Sequence, residues 1–168
     1  MPHKIDSIDR AIVACLMKDG QMTCREIANS IGNITERAVR YRLDRLTRQR
    51  LIRVTAVVDA EAIGFPVAAD VWVEVEPGRI KEVAQHMCAM EEISYLACST
   101  GENDISMQVR ARSNSELYTF VTEVLGKIPG VKKTTTILVP VILKDNYDWG
   151  IPLSACVDGK EGSRVNAR

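Results

Sequence analysis

The chain has 168 residues, and its 22 Lys and Arg side chains balance 22 Asp and Glu, giving a formal net charge of zero. Hydrophobic residues make up 46% and charged residues 26%, ordinary for a globular protein of one domain or two small ones. No apolar run approaches the roughly 20 residues of a membrane helix, and Met1 to Asp6 hold no apolar signal core, so a cytoplasmic protein is expected.

The zero is a cancellation. Residues 1–55 carry 11 basic and 6 acidic side chains, a net of +5, and the other 113 residues carry 11 basic and 16 acidic, a net of −5. Seven arginines lie between positions 37 and 53. Such an asymmetry points to an electrostatic partner for the first part of the chain. The five cysteines (Cys15, Cys24, Cys88, Cys98 and Cys156) are dispersed, without C-x-x-C spacing, and His3 and His86 are the only histidines. Zinc ligation needs four converging N or S ligands, so no metal site is expected and the thiols read as buried or incidental.

In chain order, Ile5, Ile8, Ile12, Cys15 and Leu16 recur at helical spacing, with Asp6 and Asp9 where a helix N-terminus favours negative charge. This helix is expected to stop at Asp19-Gly20. Thr23-Cys24-Arg25-Glu26 reads as a capping box opening a second helix, with Met22 and Ile27 as its staple pair and Ile27, Ala28 and Ile31 as its stripe. That helix ends at Gly32-Asn33. A third starts at Thr35 as N-cap, with Val39, Leu43 and Leu46 facing the other two.

A short helix, a tight turn and a basic third helix form a helix-turn-helix pattern. The first half of the third helix (Thr35, Glu36, Arg37, Arg40 and Tyr41) can reach base edges in a major groove, and Arg45 and Arg48 further along can hold phosphates. The same residues also fit a solvated basic face on a three-helix bundle.

Residues 52–58 are rich in β-formers and predict a linking strand. Val67 to Glu76 alternates, with Val71, Val73 and Val75 on one face and Trp72, Glu74 and Glu76 on the other, ending at Pro77-Gly78. Ile80, Val83, Ala84 and Met87 give a helix stripe. Ile93 to Ser99 predicts a strand, Gly101 to Asp104 a turn, and Ile105 to Ala111 the antiparallel mate. A second capping box, Ser113-Asn114-Ser115-Glu116, opens a helix with Leu117, Phe120, Val121, Val124, Leu125 and Ile128 inward. Pro129-Gly130 ends it, and Val131 to Leu143 returns as a strand. The order βαββαβ is the ferredoxin-like plan. Two helices on one face of such a sheet leave the other bare, so a second subunit is expected from packing alone. Residues 146–168 read as an extended tail, from which Tyr147, Trp149 and Ile151 could dock on a neighbour.

The stretch Ile5-Asp6-x-x-Asp9-x-x-Ile12, Asp19-Gly20, Glu26-Ile27-Ala28, Val39-x-x-Arg42-Leu43-x-x-Leu46, Leu51-Ile52-Arg53 and Val58-Asp59-x-x-x-x-Gly64 resembles the N-terminal part of Lrp/AsnC (feast/famine) transcriptional regulators. The resemblance extends over roughly residues 5–145. It departs at Asn33, which lengthens the turn before the third helix, and at Arg50, which stands where such regulators usually have glycine and where left-handed backbone is expected.

The fold it implies is α+β. A winged helix-turn-helix domain over residues 1–55 and a linker with a hinge strand over 56–66 lead into a ferredoxin-like RAM domain over 67–145, followed by the tail. The implied function is sequence-specific binding of double-stranded DNA by a homodimer or higher oligomer, tuned by an amino acid or related effector. Ser99-Thr100-Gly101-Glu102-Asn103-Asp104 matches the family's Gly-x-x-Asp turn, and Gly130-Val131 with Thr134-Thr135-Thr136 matches its Gly-Val-x-x-Thr-x-Thr pattern. Near this turn relatives hold their effector between dimers. Amides around Gly101 can hold a carboxylate, Asp104 can pair with an ammonium, and Thr134 and Thr136 can complete the shell. Alternatively, Gly101 serves the turn and Asp104 caps it. Asn103 replaces an aromatic common in relatives.

Sirohaem decarboxylases are similar in fold but are enzymes, typically with a histidine after the winged unit. Residues 53–59 contain none, and no nucleophile–base or carboxylate pair stands at functional spacing. No catalytic residue and no cofactor are expected. An effector-binding oligomer without DNA binding is a third reading, favoured by Asn33 and Arg50 and opposed by the arginine run.

Overall fold

A computed structural model describes residues 4–158. They divide into two compact units, one formed by residues up to Val57 together with those from Lys144 onward, the other by Val58–Leu143. No helix among the described residues is long and apolar enough to cross a membrane.

The first unit is built on three helices, α1 (Ser7–Lys18), α2 (Cys24–Ile31) and α3 (Glu36–Arg48). α2 and α3 begin at the predicted caps, and α1 begins at Asp6, expected only to lie near a helix start. Asp6 accepts the Asp9 amide at 2.8 Å while the Asp9 carboxylate takes the Asp6 amide at 3.2 Å, and Thr23 and Glu26 form the reciprocal pair at α2. The Thr35 hydroxyl accepts the Ala38 amide at 3.2 Å. α1 stops at the predicted place, although Asp19 closes it with extended backbone and Gly20 has no left-handed conformation. Ile12, Ile27, Ala28 and Val39 form the buried centre between the helices, packed by Ile8, Leu16, Ile31 and Ile34.

The end of α3 is a Schellman cap: the Leu51 amide returns to the Leu46 carbonyl at 2.9 Å and the Arg50 amide to Thr47 at 3.0 Å. The cap requires left-handed backbone at Arg50, and φ there is 55°. Arg50 is exposed, so no packing offsets that conformation. Arg50→Gly is expected to stabilise the protein by about 0.5–1 kcal/mol, the relief of roughly 1–2 kcal/mol at a left-handed position less the extra freedom glycine gives the unfolded chain. A urea midpoint that does not rise would show that the cap carries no such cost.

The second unit holds β1 (Val67–Val75), α4 (Ile80–Met87), β2 (Ile93–Cys98), β3 (Ile105–Ala111), α5 (Asn114–Thr119) and β4 (Val131–Leu138). Its four strands are all antiparallel, in the order β2-β3-β1-β4. This is the ferredoxin-like plan. Val71 and Val73 of β1, Ile105, Met107 and Val109 of β3, Val83 and Met87 of α4, and Leu117 and Leu125 beyond it make one core. Fully burying side chains such as Met87 and Leu125 contributes about 1.5–3 kcal/mol each.

Five local expectations need correction. Residues 52–58 form no strand within the chain; a strand needs a paired edge, and Val54, Val57 and Val58 are exposed. β4 ends at Leu138 rather than Leu143, because the Val139 amide still reaches Ala68 at 2.9 Å but Pro140 has no N–H to continue the ladder. Ser113 caps α5 as expected, yet Glu116 takes the amide of Arg112 (2.6 Å) rather than that of Ser113, so the box is not reciprocal. Val124 is exposed, not inward. After α5 the chain passes through a π turn over Phe120–Val124, in which the Leu125 amide reaches back to Phe120, and the extra residue moves Leu125 into the inward position.

The fifth correction concerns the tail. Residues up to 158 do not extend freely but run along α1: Gly150 lies against Met17, the Arg10 guanidinium donates to the Ile151 carbonyl at 3.0 Å, and Cys156 is buried beside Ile5 through a parallel bridge. Tyr147 and Trp149 remain exposed. The part of the predicted tail from residue 159 on lies outside the described residues.

Candidate nucleic-acid interface

Six of the seven predicted DNA-contacting residues are exposed on or beside α3: Thr35, Glu36, Arg37, Arg40, Tyr41 and Arg48. Arg40 and Glu36 form an ion pair at 2.7 Å, one helical turn apart, both well exposed. Exposed pairs of this spacing contribute about 0.3–0.5 kcal/mol, so the guanidinium is readily exchanged for a stronger acceptor. The Arg48 Nε donates to the carbonyl of Asp44 at 3.4 Å, a long contact that leaves its other donors to the surface.

Arg45 departs from its expected role. Its guanidinium is half-buried and paired with Asp9, whose carboxylate has no exposed surface. Arg42 joins from one turn earlier, reaching Asp6 at 2.6 Å and the other Asp9 oxygen at 2.8 Å. Arg45 therefore ties α3 to α1 instead of facing outward, and its buried Nε finds no acceptor among the described residues. Burial opposes ionisation of Asp6, but the Arg42 hydrogen bond, the Asp9 amide and the two guanidinium charges outweigh it and hold its carboxyl below the ordinary value. The same pairing raises Arg42 against the cost of its own burial. Sequence reading placed Asp6 and Asp9 only at a helix N-terminus. Their partners lie 33 and 36 residues away, across helix packing that local spacing does not encode.

In the second unit the predicted effector turn lies between β2 and β3. The Ser99 amide donates to the Asp104 carbonyl at 2.8 Å and its hydroxyl to the Asn103 carbonyl at 2.8 Å. Thr100, Gly101 and Glu102 are exposed at the tip, with Gly101 at φ 141°. The Asp104 amide bonds the Val73 carbonyl at 3.0 Å, and its carboxylate accepts the Val75 amide at 2.8 Å. The Asp104 side chain is thus engaged by β1 and not by a backbone group of its own turn. Thr134 and Thr136 stand opposite Val73 and Val71 on the helix side of β4, while Thr135 faces the other side with Trp72. The turn and the threonines consequently meet β1 from opposite edges, roughly 10 Å apart across that strand.

His86 is exposed on α4, His3 lies outside the described residues, and no group of three or more His, Cys, Asp or Glu among the described residues could hold a metal ion.

Residues 5–47 match the AsnC-type helix-turn-helix domain, and residues 68–149 match the Lrp/AsnC ligand binding domain. An HTH-type transcriptional regulator of Pyrococcus horikoshii, PH0140, is 35% identical over 152 residues, covering 88% of this chain and 96% of that protein. The chain belongs to the Lrp/AsnC family.

Another Lrp/AsnC relative, the HTH-type transcriptional regulator FL11 of Pyrococcus abyssi, is 36% identical over 140 residues, covering 83% of this chain and 91% of its own. Two solved structures share the Lrp/AsnC fold. Escherichia coli AsnC has a TM-score of 0.75 at 19% identity, over 86% of this chain and 95% of its own. The regulator NMB0573 of Neisseria meningitidis, solved as a complex with L-Met, has a TM-score of 0.80 at 20% identity, over 89% and 97%. As an Lrp/AsnC protein with an intact helix-turn-helix, the chain is a DNA-binding transcription regulator.

Proposed function

We propose that this regulator reads double-stranded DNA through the first half of α3 and does so as a homodimer or higher homo-oligomer in the cytoplasm, acting by binding rather than catalysis. The observation that carries this reading is the contrast along α3. Arg42 and Arg45 pin one side of the helix to α1, while Arg37, Arg40 and Tyr41 stand exposed near its N-terminal end, the end that enters a major groove in this class of motif. Thr35 and Glu36 lie at the same end, and Arg48 reaches phosphate. Arg45 acts by holding the helix.

The open face of the sheet supports assembly. Trp72, Tyr95 and Ile137 lie on it, the last two about half exposed, and apolar groups on a bare sheet face favour a second copy. Two α3 helices related by two-fold symmetry address half-sites separated by multiples of about 10 bp. Footprinting on a duplex selected from a random-sequence pool is expected to show two protected half-sites with that phasing. A single unphased footprint at saturating protein would oppose dimeric reading.

The match to a ligand binding domain and the L-Met complex of the Neisseria relative support an amino-acid effector at the turn of Ser99, Thr100, Gly101, Glu102, Asn103 and Asp104 with Thr134 and Thr136. Asp104 is already engaged by the Val75 amide, so the exposed amides at Gly101 are the stronger candidates for a carboxylate. A bound amino acid at 100-fold over its Kd adds roughly 2.7 kcal/mol of stability. A thermal-shift screen of the proteinogenic amino acids is expected to find such a ligand, and no shift with any of them would remove the amino-acid effector.

A further inference from the structure

The segment from Gly150 to Asp158 closes on the two neighbours of Asp6, which with Asp9 joins the start of α1 to α3. The Val157 amide donates to the Ile5 carbonyl at 2.8 Å. Asp158 receives both the Ser7 amide, at 2.8 Å, and the Ser7 hydroxyl, at 2.6 Å. Ile5 and Ser7 flank Asp6, whose Oδ1 caps α1 and whose Oδ2 holds Arg42 of α3 at 2.6 Å. The amide of Ser7 is one of the helix-start donors that have no partner inside the helix, and a carboxylate there also suits the helix dipole.

We propose that residues 150–158 form a clasp that positions the DNA-recognition helix: by fixing Ile5 and Ser7 it fixes Asp6, and through Arg42 it fixes the setting of α3 against α1. Asp158 is then a positioning residue, with no contact to DNA required of it. The clasp rests on the reading of α3 as the base-reading helix. Its anchor points are the backbone of Ile5 and Ser7 at the start of α1 and side chains of the same unit, so it moves with the reading head.

The distinguishing property is the direction of the effect. Removing an acidic side chain from a DNA-binding unit strengthens attraction to any phosphate backbone. Releasing a positioning contact weakens binding only where base edges must be met. The experiment compares the full chain with Asp158→Ala, Asp158→Glu and Ser7→Ala on two probes: a duplex selected by the wild-type chain from a random-sequence pool, and poly(dI-dC). Asp158→Ala is expected to lose roughly tenfold on the selected duplex, a scale set by the loss of about one well-placed base contact. It should lose nothing on poly(dI-dC). Asp158→Glu is expected to recover most of the loss, and Ser7→Ala, which keeps the amide bond but lacks the hydroxyl, to show a smaller loss of the same kind.

Unchanged or stronger binding to the selected duplex by Asp158→Ala, with its helix content intact, overturns the clasp. So does an equal loss on both probes. If Asp158→Ala fails to fold, Ser7→Ala decides by the same criterion. Arg40→Ala is run alongside. If it weakens selective binding and the clasp variants do not, the clasp alone fails. If neither it nor Arg37→Ala has an effect, the α3 reading fails and the clasp with it.

Discussion

Replacing Asp9 with asparagine is expected to lower the stability of the DNA-binding unit by about 3 kcal/mol, the scale on which removing one partner of a buried ion pair leaves the other uncompensated. The Asp9 carboxylate is completely buried, and its two oxygens serve Arg42 and Arg45 separately. Asparagine keeps the size but turns one acceptor into a donor, so one guanidinium faces an N–H. Arg42 and Arg45 remain 23% and 29% exposed, and their access to water places the effect at the low end of the range for buried pairs, about 3–5 kcal/mol. Urea unfolding followed by the helical signal measures the change. An unaltered midpoint would mean that hydration of the two arginines and the remaining Asp6–Arg42 pair replace the carboxylate at no cost.

Arg40→Ala is expected to weaken binding to the selected duplex by about 1–3 kcal/mol and to relax base preference at one position of each half-site. The Arg40 guanidinium is 65% exposed, and its present partner Glu36 lies on the same helix surface, so little is sacrificed when it turns to a base edge. Arg37→Ala is expected to act similarly at a neighbouring base pair, whereas Arg48→Ala lowers affinity about equally for all sequences, as a phosphate contact does. Gel-shift titration against duplexes changed one base pair at a time separates these outcomes. Unchanged affinity and unchanged preference for Arg40→Ala would remove it from the interface.

The local features of this fold were legible because local chemistry makes them. The caps at Thr23, Thr35 and Ser113 each require a side-chain oxygen three residues before an orphan amide, and that spacing is written in the chain. The alternation of Val71, Val73 and Val75 set the buried face of β1, whereas the left-handed backbone at Arg50 was expected only through the family resemblance, which has glycine there. What escaped is tertiary. Arg45 and Arg48 look alike on a helical projection, and only packing against α1 turns one of them inward toward Asp9. The π turn at Phe120–Val124 leaves no signature in hydrophobic periodicity except that Val124 is one apolar residue too many. The docking of residues 150–158 joins groups at opposite ends of the chain, the backbone of Ile5 and Ser7 with the Ser7 hydroxyl and the Arg10 guanidinium, and local spacing encodes none of these pairings.

The binding of Arg42 and Arg45 by carboxylates within the protein bears on how DNA affinity responds to ionic strength. Affinity for a duplex falls with salt because each cation that neutralises a phosphate releases condensed counterions, with a logarithmic slope of about −0.9 per phosphate on B-form DNA. An arginine already neutralised by Asp6 or Asp9 releases none. Of the seven arginines between positions 37 and 53, these two are spent internally. The stretch therefore contributes a slope of at most about −4.5 per protomer, shallower than a count of its positive charges implies, and correspondingly more of the affinity survives as salt rises.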